Sequence, residues 1–137
     1  MALRPYLELI RLPAVFTAPA DVLAGTALAA GAGALDQPAR LAALVAASAA
    51  VYCAGMAAND IFDLAVDRAE RPGRPLPAGR VSLRSAWTLV LGLQAAALSL
   101  GALVGWTALA AVAGTIAATY LYDAALKDSW LGPLAMG

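Results

Sequence analysis

The chain has 137 residues, of which 62% are hydrophobic and 13% charged, and its mean hydropathy is +0.76. Soluble domains average about 45–50% apolar and about 25% charged residues, so the composition excludes an ordinary soluble domain. The formal net charge is zero, so no basic surface predicts a nucleic-acid partner, and the single Cys53 excludes an internal disulfide. The chain has no histidine, which removes the usual zinc ligand and the commonest general base.

Four apolar segments are long enough to cross a membrane, because a hydrocarbon core of about 30 Å needs about 20 helical residues. They cover residues 14–34, 41–58, 86–103 and 107–124. A tight turn is expected within Gly101–Thr107, since the uncharged run 86–122 is too long for one span. Trp130 begins what reads as a fifth apolar element. The prediction is all-α: an integral membrane helical bundle of four spans plus the start of a fifth, in a single transmembrane domain over residues 1–137.

The distribution of cations predicts the orientation of these spans. With the N-terminus inside, the inner segments hold all but one of the nine Lys and Arg residues, and the exception is Arg40. The inner set comprises Arg4, Arg11, the arginines of the loop 68–84, and Lys127. Lys and Arg concentrate on the cytoplasmic side of membrane proteins. We therefore expect a multi-pass protein of the plasma (inner) membrane whose N-terminus and arginine-rich loop are cytoplasmic.

The inner end of the second span carries an unusual run of oxygen-bearing side chains. At about 100° per residue, these side chains share one helical face. Carboxylates at the bilayer centre cost about 2.5–3.5 kcal/mol each, so we expect them at the interface, beside a wet cavity or a cation. Mg²⁺ prefers six oxygen ligands and is often held by one or two carboxylates plus substrate phosphates. The pattern predicts a Mg²⁺ site formed by Asn59, Asp60, Asp63 and Asp67.

The arginines that follow could complete such a site. Arg71 and Arg74 lie in a Pro-rich turn and are expected to bind phosphate oxygens. Arg80 and Arg84 are expected to anchor the topology. The alternative is that the carboxylates only form ion pairs with arginines at a solvated helix end, since Asp67 and Arg71 have the helical i,i+4 spacing.

Several further residues suggest roles within or at the ends of the spans. Asp21, near mid-membrane, is equally consistent with a role in an acceptor pocket or cavity and with a structural hydrogen bond. Gln94 is expected to form an interhelical hydrogen bond. The predicted interfacial anchors are Trp87, Trp106 and Trp130, which fall near span ends.

The motif NDxxDxxxD at 59–67, followed by ERPGRPLPxGxxS at 70–82, closely resembles the first aspartate-rich motif of the UbiA-type intramembrane prenyltransferases. The segment RLPAVFT at 11–17 resembles the start of that family's first helix, and YxYxxxLK at 120–127 resembles the end of its fourth. The run ADVLAG at 20–25 is most similar to the EboC-like branch. The resemblance covers essentially the whole chain.

The resemblance implies a nine-helix bundle whose central cavity opens to the cytoplasm and laterally to lipid. Such enzymes bind a polyprenyl diphosphate through Mg²⁺ and move the prenyl group to a small-molecule acceptor, often aromatic. The implied catalytic set, which would hold Mg²⁺ and diphosphate, is Asn59, Asp63 and Asp67. The implied ligands of the phosphate oxygens are Arg71, Arg74 and Lys127, and the cavity-lining candidates are Tyr120, Tyr122 and Asp21. The acceptor stays open among hydroxybenzoate, naphthoate, chlorin, haem, glycerol phosphate and other nucleophiles.

One feature of that family is missing, namely the second aspartate-rich motif on a later helix. After Asp67 the only acids are Glu70, Asp123 and Asp128. The family is also about twice as long, so we expect the N-terminal half of such a domain and expect this chain alone not to catalyse prenyl transfer. Two rival classes stay open. One is a non-catalytic isoprenoid-binding or transport-associated membrane protein of the same fold, and the other is a small four-helix scaffold that oligomerises through its Ala/Gly faces.

Overall fold

The computed structural model describes residues 3–30 and 36–123, and within those ranges the regular secondary structure is helical. The helices are α1 (Arg4–Leu9), α2 (Thr17–Ala30), α3 (Pro38–Phe62), α4 (Leu64–Glu70), α5 (Leu83–Val104) and α6 (Trp106–Leu121). A short 3-10 turn at Leu12–Ala14 separates α1 from α2. The prediction of an all-α fold is confirmed.

Three of the predicted spans correspond to helices of sufficient length. Both α3 and α5 are long and apolar enough to cross a membrane, as is the stretch Leu12–Ala29 that contains most of α2. The described part of the fourth predicted span is α6, an apolar helix of 16 residues or about 24 Å, and the last residue of the predicted range 107–124 lies outside the described residues. The predicted fifth element lies outside the described residues.

The central helix of the bundle is α3, which packs against α2, α5 and α6. Its contact with α5 is built from small side chains that are at most 1% exposed. They include Ala54, Ala57 and Ala58 of α3 and Ala86 and Val90 of α5. Small residues let helix backbones approach closely, which is the main source of association within lipid. This packing fixes α3 as the support whose inner end carries the acidic motif.

The turn between α5 and α6 is one residue long. Gly105 has φ 146° and ψ 173°, a conformation that favours glycine. A Cβ added at Gly101 would lie 3.2 Å from the Cα of Leu109, so the two helices touch backbone to backbone near the turn. Arg40 donates a hydrogen bond to the carbonyl of Val104 at 3.2 Å and so satisfies one acceptor at the end of α5. The predicted turn within Gly101–Thr107 is confirmed.

The loop between α4 and α5 folds back onto the bundle. Leu76 and Val81 are buried in the core cluster beside α3 and α5. The backbone amides of Arg80 and Val81 both donate to the carbonyl of Pro75, at 2.9 and 3.1 Å. The α5 helix then begins after Ser82, whose hydroxyl accepts from the amide of Ser85 at 3.0 Å. The loop is therefore anchored to the bundle, which fixes the positions of the arginines it carries, among them Arg74 and Arg80.

Candidate functional site

The acidic motif does not lie on one unbroken helix. The α3 helix ends at Phe62, and α4 begins at Leu64, with Asp63 as the junction at φ −81° and ψ 0°. The amide of Asp63 still donates to the carbonyl of Asn59 at 2.9 Å, and the amide of Asp67 donates to the carbonyl of Asp63 at 2.8 Å. The expectation of a regular helix through 59–67 is wrong at Asp63, although the i,i+4 hydrogen bonds continue across the break.

Asn59 and Asp63 form one half of the motif. The Asn59 side-chain amide donates to Oδ2 of Asp63 at 3.2 Å, and both side chains are partly buried. This contact brings an amide group and a carboxylate together at the end of α3. Both residues remain candidate metal ligands by their chemistry, because hard cations take carboxylate and amide oxygens.

Asp60 and Asp67 form the other half, and both are bound by one arginine. The Nη1 atom of Arg74 donates to Oδ2 of Asp67 at 2.6 Å and to Oδ1 of Asp60 at 3.2 Å. These carboxylates are 5% and 2% exposed. Oδ1 of Asp67 lies 3.8 Å from Arg71, which is beyond hydrogen-bond distance. The alternative raised by the sequence, pairing of these acids with the following arginines, therefore describes Asp60 and Asp67.

Arg74 is held firmly in its charged form. Burial alone would lower its pKa, but the hydrogen bond to Asp67 and the charges of Asp60, Asp67 and Asp63 outweigh burial and raise the pKa above its ordinary value. Its side chain is 24% exposed and so is not fully enclosed. Arginine has five N–H donors, so two carboxylates bound through Nη1 leave donors for a further anion.

Arg11 completes the cluster and is the residue that the sequence did not assign to the site. Its Nη2 atom donates to Oδ1 of Asp60 at 3.1 Å, across 49 residues of chain. Arg11 has φ 50° and ψ 49°, in the left-handed region, and lies at the junction between α1 and the turn Leu12–Ala14. The available signal was the resemblance of 11–17 to the start of a family helix, but its spacing from Asp60 gave no indication of contact.

Arg80 links α1 to the loop. It donates to Oε2 of Glu8 at 2.7 Å and to the carbonyl of Gly73 at 2.8 Å. The hydrogen bond from Arg80 and its positive charge lower the pKa of Glu8, with a smaller contribution from Arg4. Arg80 was predicted as a topological anchor, and the structure adds a bridging role that holds the loop beside the cluster.

Aromatic rings lie beside the acidic motif. The ring of Phe62 contacts Trp87 and Tyr120 edge to face, with centroids 6.2 and 6.0 Å apart. Gln94 of α5 donates to the Tyr120 hydroxyl of α6 at 3.0 Å. The predicted interhelical hydrogen bond of Gln94 is therefore confirmed. Tyr120 is thus held by a ring contact with Phe62, the residue that precedes Asp63, and by a hydrogen bond from Gln94.

The other predicted site residues are less closely tied to this cluster. Asp21 is exposed on α2. A cavity of about 300 Å³ between α2, α3 and α6 is lined by its neighbours Ala18 and Val22. Tyr122 is partly buried just after α6. The cavity-lining roles of these residues stay predictions, and Lys127 lies outside the described residues.

The side chains of the motif differ in how well they suit a magnesium ion. In the described part of the chain, no three acidic, Cys or His side chains converge to hold a metal ion. Asp60 is already engaged by two arginines, and Asp67 shares one of them. The amide and carboxylate oxygens of Asn59 and Asp63 suit Mg²⁺ chemically, as does the less tightly engaged Oδ1 of Asp67. By donor chemistry, the residues that could hold the ion are Asn59, Asp63 and Asp67, and that role stays a prediction.

The fold and this site define a helical membrane protein that gathers carboxylates and arginines at one end of its spanning helices. Residues 20–137 match the UbiA prenyltransferase family, and the chain belongs to it. A solved structure described as digeranylgeranylglyceryl phosphate synthase in membranes superposes with a TM-score of 0.89 at 28% identity, covering 98% of this chain and 48% of that one.

Two curated relatives carry the same name. The digeranylgeranylglyceryl phosphate synthase of Ignicoccus hospitalis is 38% identical over 98% of this chain and 43% of its own length. The protein of that name from Methanopyrus kandleri is 44% identical over 93% of this chain and 45% of its own length. The chain therefore spans less than half the length of these relatives, and its placement in the EboC-like branch stays a prediction.

Proposed function

We propose that this chain forms the diphosphate-binding half of a Mg²⁺-dependent intramembrane prenyltransferase. The observation that carries the proposal is the meeting of two kinds of group at the inner ends of α3 and α4. The oxygen ligands Asn59, Asp63 and Asp67 lie beside guanidinium groups of Arg11 and Arg74. A diphosphate with its metal requires both kinds, because oxygens bind the cation and arginines bind the phosphate oxygens.

The names of the relatives support a particular pair of substrates. Digeranylgeranylglyceryl phosphate bears two geranylgeranyl groups on one glyceryl phosphate. The second of these groups has to be attached to a glycerol hydroxyl. We infer that the donor is geranylgeranyl diphosphate and that the acceptor is a glycerol-phosphate lipid with a free hydroxyl, rather than an aromatic ring.

In the proposed reaction the C1–O bond of the donor breaks and its electron pair leaves with the diphosphate. Bound Mg²⁺ would supply charge neutralisation of that leaving group. Arg74 and Arg71 would hold the phosphate oxygens, with Arg11 beside them, so that their positive charge faces the developing negative charge. The oxygen of the acceptor hydroxyl forms the new bond to C1, and its proton passes to the released diphosphate.

The aromatic group formed by Phe62, Trp87 and Tyr120 would serve the prenyl end. Phe62 immediately precedes Asp63 in the chain and contacts the other two rings, so this group lies toward the end of α3, where C1 of the donor would be placed if the diphosphate is bound by the motif. A ring face stabilises a nearby cation by roughly 0.5–2 kcal/mol, and apolar rings exclude water from it. Tyr120 is the best placed of the predicted cavity residues for this role.

Binding of radiolabelled geranylgeranyl diphosphate to the chain in lipid nanodiscs tests the proposal. We expect binding that needs Mg²⁺, is abolished by EDTA and is lost in Asp63→Asn. Glu70→Gln is the matched control, because Glu70 is an exposed acid on α4, the short helix that follows Asp63. Binding that is indifferent to both EDTA and Asp63→Asn would overturn the proposed site.

The non-catalytic lipid-binding alternative predicts the same binding but no turnover. When the complete domain is supplied with both substrates, we expect formation of the second ether bond, detected by mass spectrometry of the lipid product. We expect the chain alone to bind donor without turnover, because only one of the two acidic motifs of the family is present in it. Binding without product in the complete domain would favour the lipid-binding alternative.

We also propose that the N-terminus and the loop 71–82 face the cytoplasm. In a Cys53→Ser background, Gly73→Cys should react with an impermeant maleimide only in inverted vesicles, and Ala39→Cys only in right-side-out vesicles. Both positions are exposed, and a Cβ at Gly73 meets no atom within 4 Å. The reverse pattern of labelling would overturn the orientation.

A further inference from the structure

We propose that Asp60 is a positioning residue that holds two arginines side by side for one diphosphate, and that it does not bind the metal. The inference rests on the proposed function of the site. Oδ1 of Asp60 accepts hydrogen bonds from Arg11 at 3.1 Å and from Arg74 at 3.2 Å. Because both guanidinium groups bind one oxygen atom, they lie within a few ångströms of each other, a spacing suited to the adjacent phosphates of one diphosphate.

Burial distinguishes the acid from the two bases. The side chain of Asp60 is 6% exposed, whereas those of Arg11 and Arg74 are 40% and 24% exposed. The carboxylate is therefore buried, while the side chains of both arginines remain partly exposed. In the described hydrogen bonds, Arg11 uses only Nη2 and Arg74 only Nη1. Each planar group thus keeps N–H donors for a bidentate contact with phosphate.

The conformation of Arg11 indicates that its position is imposed by its surroundings. A non-glycine residue in the left-handed region is unfavourable and persists where neighbouring structure fixes it. Here the salt bridge to Asp60 joins the segment between α1 and α2 to the end of α3. Without Asp60, Arg11 would lose the contact that directs its guanidinium toward Arg74.

The charges within the cluster also indicate that Asp60 is not one of the metal ligands. Asp60 and Asp67 carry two negative charges, and Arg11 and Arg74 carry two positive charges. Asp60 is thus already neutralised by hydrogen-bonded cations, and a metal at this oxygen would face two guanidinium groups at close range. Asn59 and Asp63, which bond to each other at 3.2 Å, are the ligands expected on the metal side.

The test separates metal affinity from diphosphate affinity in the chain held in nanodiscs. Mn²⁺ binding is followed by electron paramagnetic resonance, and binding of geranylgeranyl diphosphate is measured at saturating Mg²⁺. Asp60→Asn should weaken diphosphate binding about tenfold or more, which corresponds to the loss of about one strong charged hydrogen bond. The same variant should leave the Mn²⁺ midpoint within about twofold. Asp63→Asn is the matched contrast and should shift the Mn²⁺ midpoint.

A double-mutant cycle distinguishes a positioning role of Asp60 from a general loss of structure. If Asp60 acts through Arg11, then Arg11→Gln should weaken diphosphate binding, and the double variant should be no weaker than the worse single variant. Strict additivity would overturn the proposal. So would an Asp60→Asn effect on the Mn²⁺ midpoint equal to that of Asp63→Asn, or a lowered melting temperature with unchanged diphosphate affinity. Failure of the unmodified chain to bind diphosphate would instead reject the proposed function itself.

Discussion

The membrane-spanning body and the polar end of the molecule are stabilised in different ways. In the body, α3, α5 and α6 approach through alanine and glycine, and few side-chain hydrogen bonds join the helices. At the polar end, Arg11, Arg74 and Arg80 join residues 49, 14 and 72 positions apart in sequence. The packing of the body depends on small side chains that let the helices approach closely, whereas the packing of the polar end depends on specific charge pairs. Substitutions in the two regions should therefore fail for different physical reasons.

The largest effect is expected at the polar end. Asp67→Ala removes the 2.6 Å partner of Arg74 and leaves that arginine with Asp60 alone. Removing one member of a fully buried pair costs about 3–5 kcal/mol, and we expect about 2–3 kcal/mol here because Arg74 is partly exposed. Denaturant unfolding of the chain in detergent measures the loss. Glu70→Gln is the control and should change stability by less than about 0.5 kcal/mol. A change in Asp67→Ala no larger than the control would show that the charge pair does not stabilise the fold.

The next effect tests close packing in the body. Gly101→Ala would place a Cβ 3.2 Å from the Cα of Leu109, which cannot move without shifting α6. We expect a loss of about 1–2 kcal/mol in the same unfolding measurement. Gly92→Ala lies on the same helix with open space around it, and it should be neutral or slightly stabilising. Equal effects of the two substitutions would indicate that α5 and α6 are not in backbone contact.

A smaller effect is expected for the hydrogen bond that joins α5 and α6 within the body. Tyr120→Phe removes the hydrogen bond between α6 and Gln94 of α5. Such interhelical bonds average about 0.6 kcal/mol in membranes, because the unfolded helices also find partners. Unfolding of Tyr120→Phe, Gln94→Leu and the double variant forms a cycle that isolates the pair. A coupling free energy of zero would show that this hydrogen bond does not help to hold Tyr120.

The smallest effect concerns the tie between α1 and the loop, which is the exposed ion pair of Glu8 with Arg80. The hydrogen bond from Arg80 lowers the pKa of Glu8, so the tie is fully present above the ordinary glutamate pKa of about 4.3. It should weaken as the pH falls through the lower pKa of the folded state. Spin labels on α1 and the loop should therefore separate at acid pH. Glu8→Gln should show the separated distance at every pH, and an unchanged distance throughout would exclude the tie.

Much of the body could be predicted from the sequence because hydropathy and helix breakers act locally. The uncharged run 86–122 contained two helices, and the glycines near 101–105 indicated the turn to within a few residues. The family was identified by the resemblance of residues 59–82 to its first aspartate-rich motif, and the family match confirms it.

The polar end could be predicted only in its composition. Acids and arginines were identified as a group, but the choice of partners depends on how α1, α3 and the loop approach in space. Nothing in the spacing of Arg11 and Asp60 indicates a hydrogen bond. The break at Asp63 was equally hidden, because a single junction residue with intact i,i+4 bonds leaves the periodicity unchanged.

The single-residue turn at Gly105 has a consequence for how the protein enters the bilayer. On the proposed orientation, this turn is the portion of the α5–α6 hairpin that reaches the far side of the membrane. Almost no hydrophilic chain has to be translocated, so the two helices can leave the insertion machinery together as a preformed pair. Lengthening that turn with charged residues should therefore slow biogenesis before it affects the finished fold.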